Sequence, residues 1–106
     1  MASSKEYLDF VLDQLSPLDG VSYTAMMGEY IIRCRGKIVG GIYDDRLLIK
    51  PTETAKRVMP GAALELPYEG AKPMLLVDEI DDRTFLCALV SAVADELPEP
   101  RKKRKS

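Results

Sequence analysis

The sequence predicts an α+β fold, a single two-layer domain in which an antiparallel four-strand meander plus a fifth strand carries terminal helices, in the order α-β-β-β-β-α-β-α. Three observations predict it. Residues 28–50 read GEYIIRCRGKIVGGIYDDRLLIK, three apolar runs separated by the short turn signals Arg35-Gly36 and Asp44-Asp45 at hairpin spacing. Stretches with helical periodicity stand at both ends of the chain. At 106 residues the chain suffices for one core and is too short for a second domain.

In the first helix, Ser3 and Glu6 have the spacing of a capping box. Tyr7, Leu8, Val11, Leu12, Leu15 and Leu18 then fall within one arc, opposite Lys5, Glu6, Asp9 and Asp13. Pro17 and Asp19-Gly20 stop it, because proline disfavours helix in the preceding residue and glycine readily takes positive φ. Residues 21–27 mix β-branched and aromatic side chains, a strand signal, and Gly28-Glu29 offers a turn. In the next strand Tyr30, Ile32 and Cys34 share one face and Ile31, Arg33 and Arg35 the other. Residues 37–43 and 46–50 complete the meander.

Pro51 cannot donate to a ladder, so the fourth strand ends there, and Thr52 caps a short helix that Pro60 closes. Residues 60–73, PGAALELPYEGAKP, hold three prolines and no sustained period, an unusually long connection in so small a domain. Residues 74–78 are a short apolar run that reads as a strand buried on both faces. Asp81 or Asp82 caps the last helix, whose buried arc is Phe85, Leu86, Leu89, Val90, Val93 and Leu97, with Ala88 and Ala92 at its edge. The domain therefore spans residues 1–97, and residues 98–106, with nothing apolar to bury, read as a disordered basic tail.

Charge and composition exclude some functions. The formal charge of −2 hides an asymmetry, since seventeen acidic and ten basic residues give the first hundred positions −7, ahead of the five cations Arg101, Lys102, Lys103, Arg104 and Lys105. Such a run can hold phosphates without reading sequence, or simply solvate the chain; weak nucleic-acid binding is the consequence if it acts. No apolar run reaches the length of a bilayer span, and the start lacks a secretion signal, so no membrane partner and a cytoplasmic address are expected. Cys34 and Cys87 form no C-x-x-C pair and are expected reduced, Cys34 in the core and Cys87 at the edge of the last helix.

Histidine is absent, which removes the commonest neutral-pH general base and metal ligand. Asp78, Glu79, Asp81 and Asp82 lack the glycine and ligand spacing of a calcium loop and suit a helix start. No catalytic residue, metal or cofactor is expected. Gly40 and Gly41 in mid-strand indicate a bulge, a close approach by another element, or the approach of a ligand. Tyr68, with Glu69 and Gly70 on the long loop, either meets a partner or staples the loop to the sheet.

Residues 26–52, MMGEYIIRCRGKIVGGIYDDRLLIKPT, and residues 66–81, LPYEGAKPMLLVDEID, together resemble the TfoX N-terminal domain family. Gly28-Glu29, the turn from Tyr43 to Asp45, the Lys-Pro-Thr strand end and the Pro-Tyr-Glu-Gly loop carry the resemblance, which covers about residues 4–97. It implies a compact α+β domain related to regulators of bacterial competence, in which this domain precedes another. Here a basic tail stands where that second domain would begin. The expectation is a stand-alone, non-enzymatic interaction domain, regulatory in role, with a protein partner and a possible homodimeric state. Tail-mediated nucleic-acid association and a small-molecule site at Gly40 and Gly41 are the alternatives.

Overall fold

In the computed structural model, which describes residues 4–78 and 80–97, two layers are built from nine elements. Helix α1 (Lys5–Gln14) is followed by strands β1 (Val21–Met26), β2 (Glu29–Cys34), β3 (Lys37–Ile42) and β4 (Leu47–Ile49). Then come α2 (Glu53–Val58), β5 (Leu64–Glu65), β6 (Met74–Leu76) and α3 (Arg83–Glu96). The strands form one sheet in the order β1-β2-β3-β4-β6-β5, with every neighbouring pair antiparallel. The class and the meander agree with the sequence reading, but the described residues form six strands instead of five. The extra one, β5, lies inside the long connection, where Leu64 pairs with Leu75 and Glu65 with Met74. Two residues are too few for a periodic signal.

Three hairpins each turn on two residues of positive φ, the mirror-image turn whose twist matches that of the strands. Arg35 (φ 54) with Gly36 (φ 82) and Asp44 (φ 55) with Asp45 (φ 56) are as expected. The first turn is Met27-Gly28 instead of Gly28-Glu29, because Met27 itself takes φ 53 and Glu29 pairs with Met26 as the first residue of β2. The helix entry also moves by one residue: Ser4, not Ser3, is the cap of α1, its Oγ accepting from Tyr7 N at 3.1 Å. Ser4 N donates to Asp45 Oδ1 at 2.8 Å, so the turn after β3 fixes where the helix starts. Helix α1 ends at Gln14, short of Pro17, with Leu15 as its C-cap. Thr52 caps α2 and Asp82 caps α3.

The register separates the two faces of the sheet. Ile32, Ile42, Leu47, Ile49 and Leu75 point to one side and join Leu8, Val11 and Leu15 of α1 and Leu86, Leu89, Val90 and Val93 of α3 in a single buried cluster. Ala94 is buried with them, whereas Ala88 is exposed. Arg35 to Asp95 (2.6 Å), Lys37 Nζ to Ala94 O (2.9 Å) and Arg83 to Asp13 (2.9 Å) hold α3 against the meander and α1. The expectation that residues 74–78 are buried on both faces holds only in part, since β6 lies next to the short edge strand and Met74 and Leu76 are half-buried. Residues 98–106, including the basic run, and residues 1–3 and 79 lie outside the described residues. Among the described residues no helix is long and apolar enough to cross a membrane.

Candidate functional site

Ile31, Gly41, Leu48 and Leu76 point away from the helices, on the opposite face of the sheet. Leu48 is fully buried there, outside the helix-side cluster. Its ladder partner Gly41 lies under Tyr43. Tyr43, the residue after β3, turns back over Gly41, so a Cβ on Gly41 would stand 2.7 Å from the tyrosine ring and 2.7 Å from Tyr30 O. A Cβ on Gly40 would stand 2.1 Å from Leu48 O. These glycines admit the neighbouring strand and Tyr43. The bulge lies beside them: the β2 to β3 register shifts between Ile32 and Arg33, so Val39 is buried without a β2 partner while its carbonyl accepts from Lys50 N at 2.9 Å.

The long connection completes the cover. Pro67 is buried, and Tyr68 packs on Tyr43 with ring centroids 6.3 Å apart and planes tilted by 57°. Tyr68 thus staples its loop to the sheet and still leaves 59% of its surface exposed. Gly70 takes φ +89, which lets the chain turn back toward β6. Arg46 anchors the start of this loop, pairing with Glu65 at 2.5 Å and donating to Leu66 O at 3.3 Å.

The Tyr43–Tyr68 pair is a wall between two grooves. The first, about 420 Å³, is lined by Met26, Met27, Glu29, Ile31 and both tyrosines, so Glu29 is its one charged group among the described residues. The second, about 650 Å³, runs along the loop and contains Ile38, Lys50, Lys72, Met74 and Leu97 with the same two tyrosines. One wall therefore has a carboxylate on one side and two ammonium groups on the other. Tyr43 is 6% exposed, and burial, then the neighbouring Tyr68 and Glu29, push its phenol above the usual range.

Of the residues singled out by sequence, Tyr68 and Gly70 line the second groove, Gly41 lies beneath Tyr43, and Glu69 is exposed and lines neither groove. Arg101, Lys102, Lys103, Arg104 and Lys105 lie outside the described residues. Met26, Met27, Tyr43 and Glu29 are not singled out as site residues by sequence. Only Met27 carries a signal, a methionine out of keeping with turn chemistry, and it shows only once the turn is placed at Met27-Gly28 instead of Gly28-Glu29. Cys34 is buried and burial raises its thiol pKa; Cys87 is half-buried and its Sγ donates to Gln14 O at 3.2 Å. Among the described residues no group of acidic or cysteine side chains could hold a metal ion, and Asp82 is used as a helix cap.

No family model matches the chain, and no solved structure matches it. It is 35% identical over 105 residues to the "Uncharacterized 12.7 kDa protein in trpE 5'region" of Spirochaeta aurantia, an alignment covering 96% of this chain and 91% of that one. Similarity of that extent over nearly all of both proteins places the chain in one family with the spirochaete protein.

Proposed function

We propose that the chain is a non-enzymatic interaction domain, regulatory in role and related to the TfoX N-terminal domains it resembles. Its partner is a protein, held on the outer face of the sheet at the tyrosine wall. One observation carries this reading. Met27 is 97% exposed and stands at φ 53, a left-handed position that glycine or asparagine occupies at lower cost. Folding gains nothing from a thioether there, while a flexible, polarizable side chain suits an adaptable contact surface. Met26 (50% exposed) and Tyr68 (59% exposed) continue the same apolar rim.

The occupant is an apolar segment of the partner with a basic residue next to it. Its apolar side chain fills the first groove between Met26, Ile31 and Tyr43, and its cation meets Glu29. An acidic group farther along the segment faces Lys50 and Lys72 across the wall. Aromatic and apolar side chains at the centre of such a contact supply most of the binding energy.

The test is capture from native bacterial lysate by the full chain, with and without nuclease, in parallel with Met27→Asn, Tyr68→Ala and Glu29→Lys. The expected result is a nuclease-resistant protein that all three variants lose while each keeps its circular dichroism spectrum. A partner retained by all three overturns the site, and a nuclease-sensitive one replaces the reading with nucleic-acid association.

A further inference from the structure

Strand β1 is an edge of the sheet, and all of its residues except Val21 are exposed. Edge strands are ordinarily protected by charge, proline, a bulge or brevity. The opposite edge, β5, has two residues. By contrast, β1 is six residues long, VSYTAM, with no charge and no proline, and its register with β2 is unbroken.

The hydrogen-bond phase of β1 follows from its ends. Arg35 N donates to Gly20 O at 2.9 Å, and Met26 pairs with Glu29 across a two-residue turn, so Ser22, Thr24 and Met26 bond inward to β2. The N–H and C=O groups of Val21, Tyr23 and Ala25 therefore point out of the sheet. We propose that this edge pairs with β1 of a second copy of the chain, antiparallel and centred on Tyr23, to make one continuous sheet across a twofold axis. Val21, Tyr23 and Ala25 line neither groove on the outer face.

Three features favour a second copy over an unrelated strand. The outward groups are symmetric about Tyr23, so Val21 faces the partner's Ala25 and Tyr23 faces itself, with about six backbone hydrogen bonds exchanged in three pairs. The strip is neutral, so two acidic bodies meet without like charges in register. Finally, the helix side of the strand has a hollow of about 460 Å³ lined by Leu12, Leu18, Val21 and Tyr23. Tyr23 is 42% exposed and edge-on to Tyr30 at 5.9 Å, and the partner's tyrosine lies across the axis over that hollow.

The test uses the full chain in sedimentation equilibrium and amide exchange from about 5 µM to about 1 mM. A dimer is expected to accumulate with concentration while the amides of Val21, Tyr23 and Ala25 slow by about tenfold or more and those of solvent-facing loops do not. Ala25→Pro removes one outward donor and spares the β1 to β2 ladder, so it should stay folded and monomeric. A chain that remains monomeric at the highest concentration, or a dimer whose three edge amides keep exchanging freely, overturns the proposal. Should Ala25→Pro fail to fold, exchange in the unaltered chain decides the matter alone.

Discussion

Gly40→Ala puts the packing of the sheet to a quantitative test. Gly40 pairs with Ile49 across the β3 to β4 ladder, and a Cβ there would lie 2.1 Å from Leu48 O and 3.0 Å from Ile49 Cα. Both obstacles are backbone, so no rotamer change relieves them and the strands must part by roughly 1 Å, in a ladder with a spacing near 4.8 Å. Overpacking of this kind costs about 1–3 kcal/mol. Each ladder hydrogen bond that lengthens costs about 1 kcal/mol more. The smaller entropy of the unfolded alanine chain offsets about 0.4–1 kcal/mol. The net loss is on the order of 2–4 kcal/mol, a fall in Tm of roughly 10–25 °C for a domain of this size. Gly61 is the control, with nothing within 4 Å of its Cβ position, and Gly61→Ala should be neutral or slightly stabilising. Urea and thermal unfolding followed by circular dichroism measure both. A Gly40→Ala protein within about 0.5 kcal/mol of the parent would refute the close approach and the β3 to β4 register behind it.

Met27→Asn should raise stability by about 1 kcal/mol, because asparagine tolerates the left-handed region and the exposed methionine loses almost no burial; an unchanged or lower urea midpoint counts against the strain. Burial raises the phenols of Tyr7 and Tyr43 and the thiol of Cys34 above their ordinary values. The unfolded chain therefore loses these protons first, so stability is fully present below about pH 8, under the ordinary thiol range, and falls as pH rises beyond it through the thiol and then the phenol range, with Tyr43→Phe softening the fall. A urea midpoint that stays flat from pH 8 to pH 11 would contradict this. In a thiol-labelling time course, Cys34 should react only after unfolding, since it is 0% exposed. Labelling of Cys34 at the rate of a free peptide thiol would place it outside the core.

Much of the scaffold was legible because it rests on local rules. The apolar arcs of α1 and α3, the caps Thr52 and Asp82, and the turns at Arg35-Gly36 and Asp44-Asp45 each follow from residues a few positions apart. What was not legible depends on contacts distant in sequence. Ser4 replaces Ser3 as the cap in a structure that ties its N–H to Asp45, forty-one residues away. Gln14 is buried among apolar residues because its Nε2 reaches Ile80 O at 2.9 Å. Strand β5 exists only as a partner of β6. The candidate site is illegible for the same reason, since Met27, Glu29, Tyr43 and Tyr68 come from two hairpins and a loop that meet only on the folded outer face.

Gly41 is where scaffold and site become one problem. The glycine leaves room for the Tyr43 ring, the ring covers the outer face, and Tyr68 rests on the ring. A Cβ at Gly41 meets the Cε2 and hydroxyl of Tyr43 at 2.7 Å, atoms at the far end of a side chain that can swing, but it also meets Tyr30 O at 2.7 Å. The ring can yield and the carbonyl cannot, so Gly41→Ala should cost about 1–3 kcal/mol and also displace Tyr43 and, with it, Tyr68. Two readouts separate these effects. Unfolding reports the strand contact, and the fluorescence and proton shifts of the tyrosines report the wall. Tyr43→Ala in the Gly41→Ala background removes the ring contact and leaves the carbonyl contact, so the double variant should lose less than the two single losses added together. Additive losses would mean that the ring does not occupy the space over Gly41, and that the wall between the grooves is held by the loop alone.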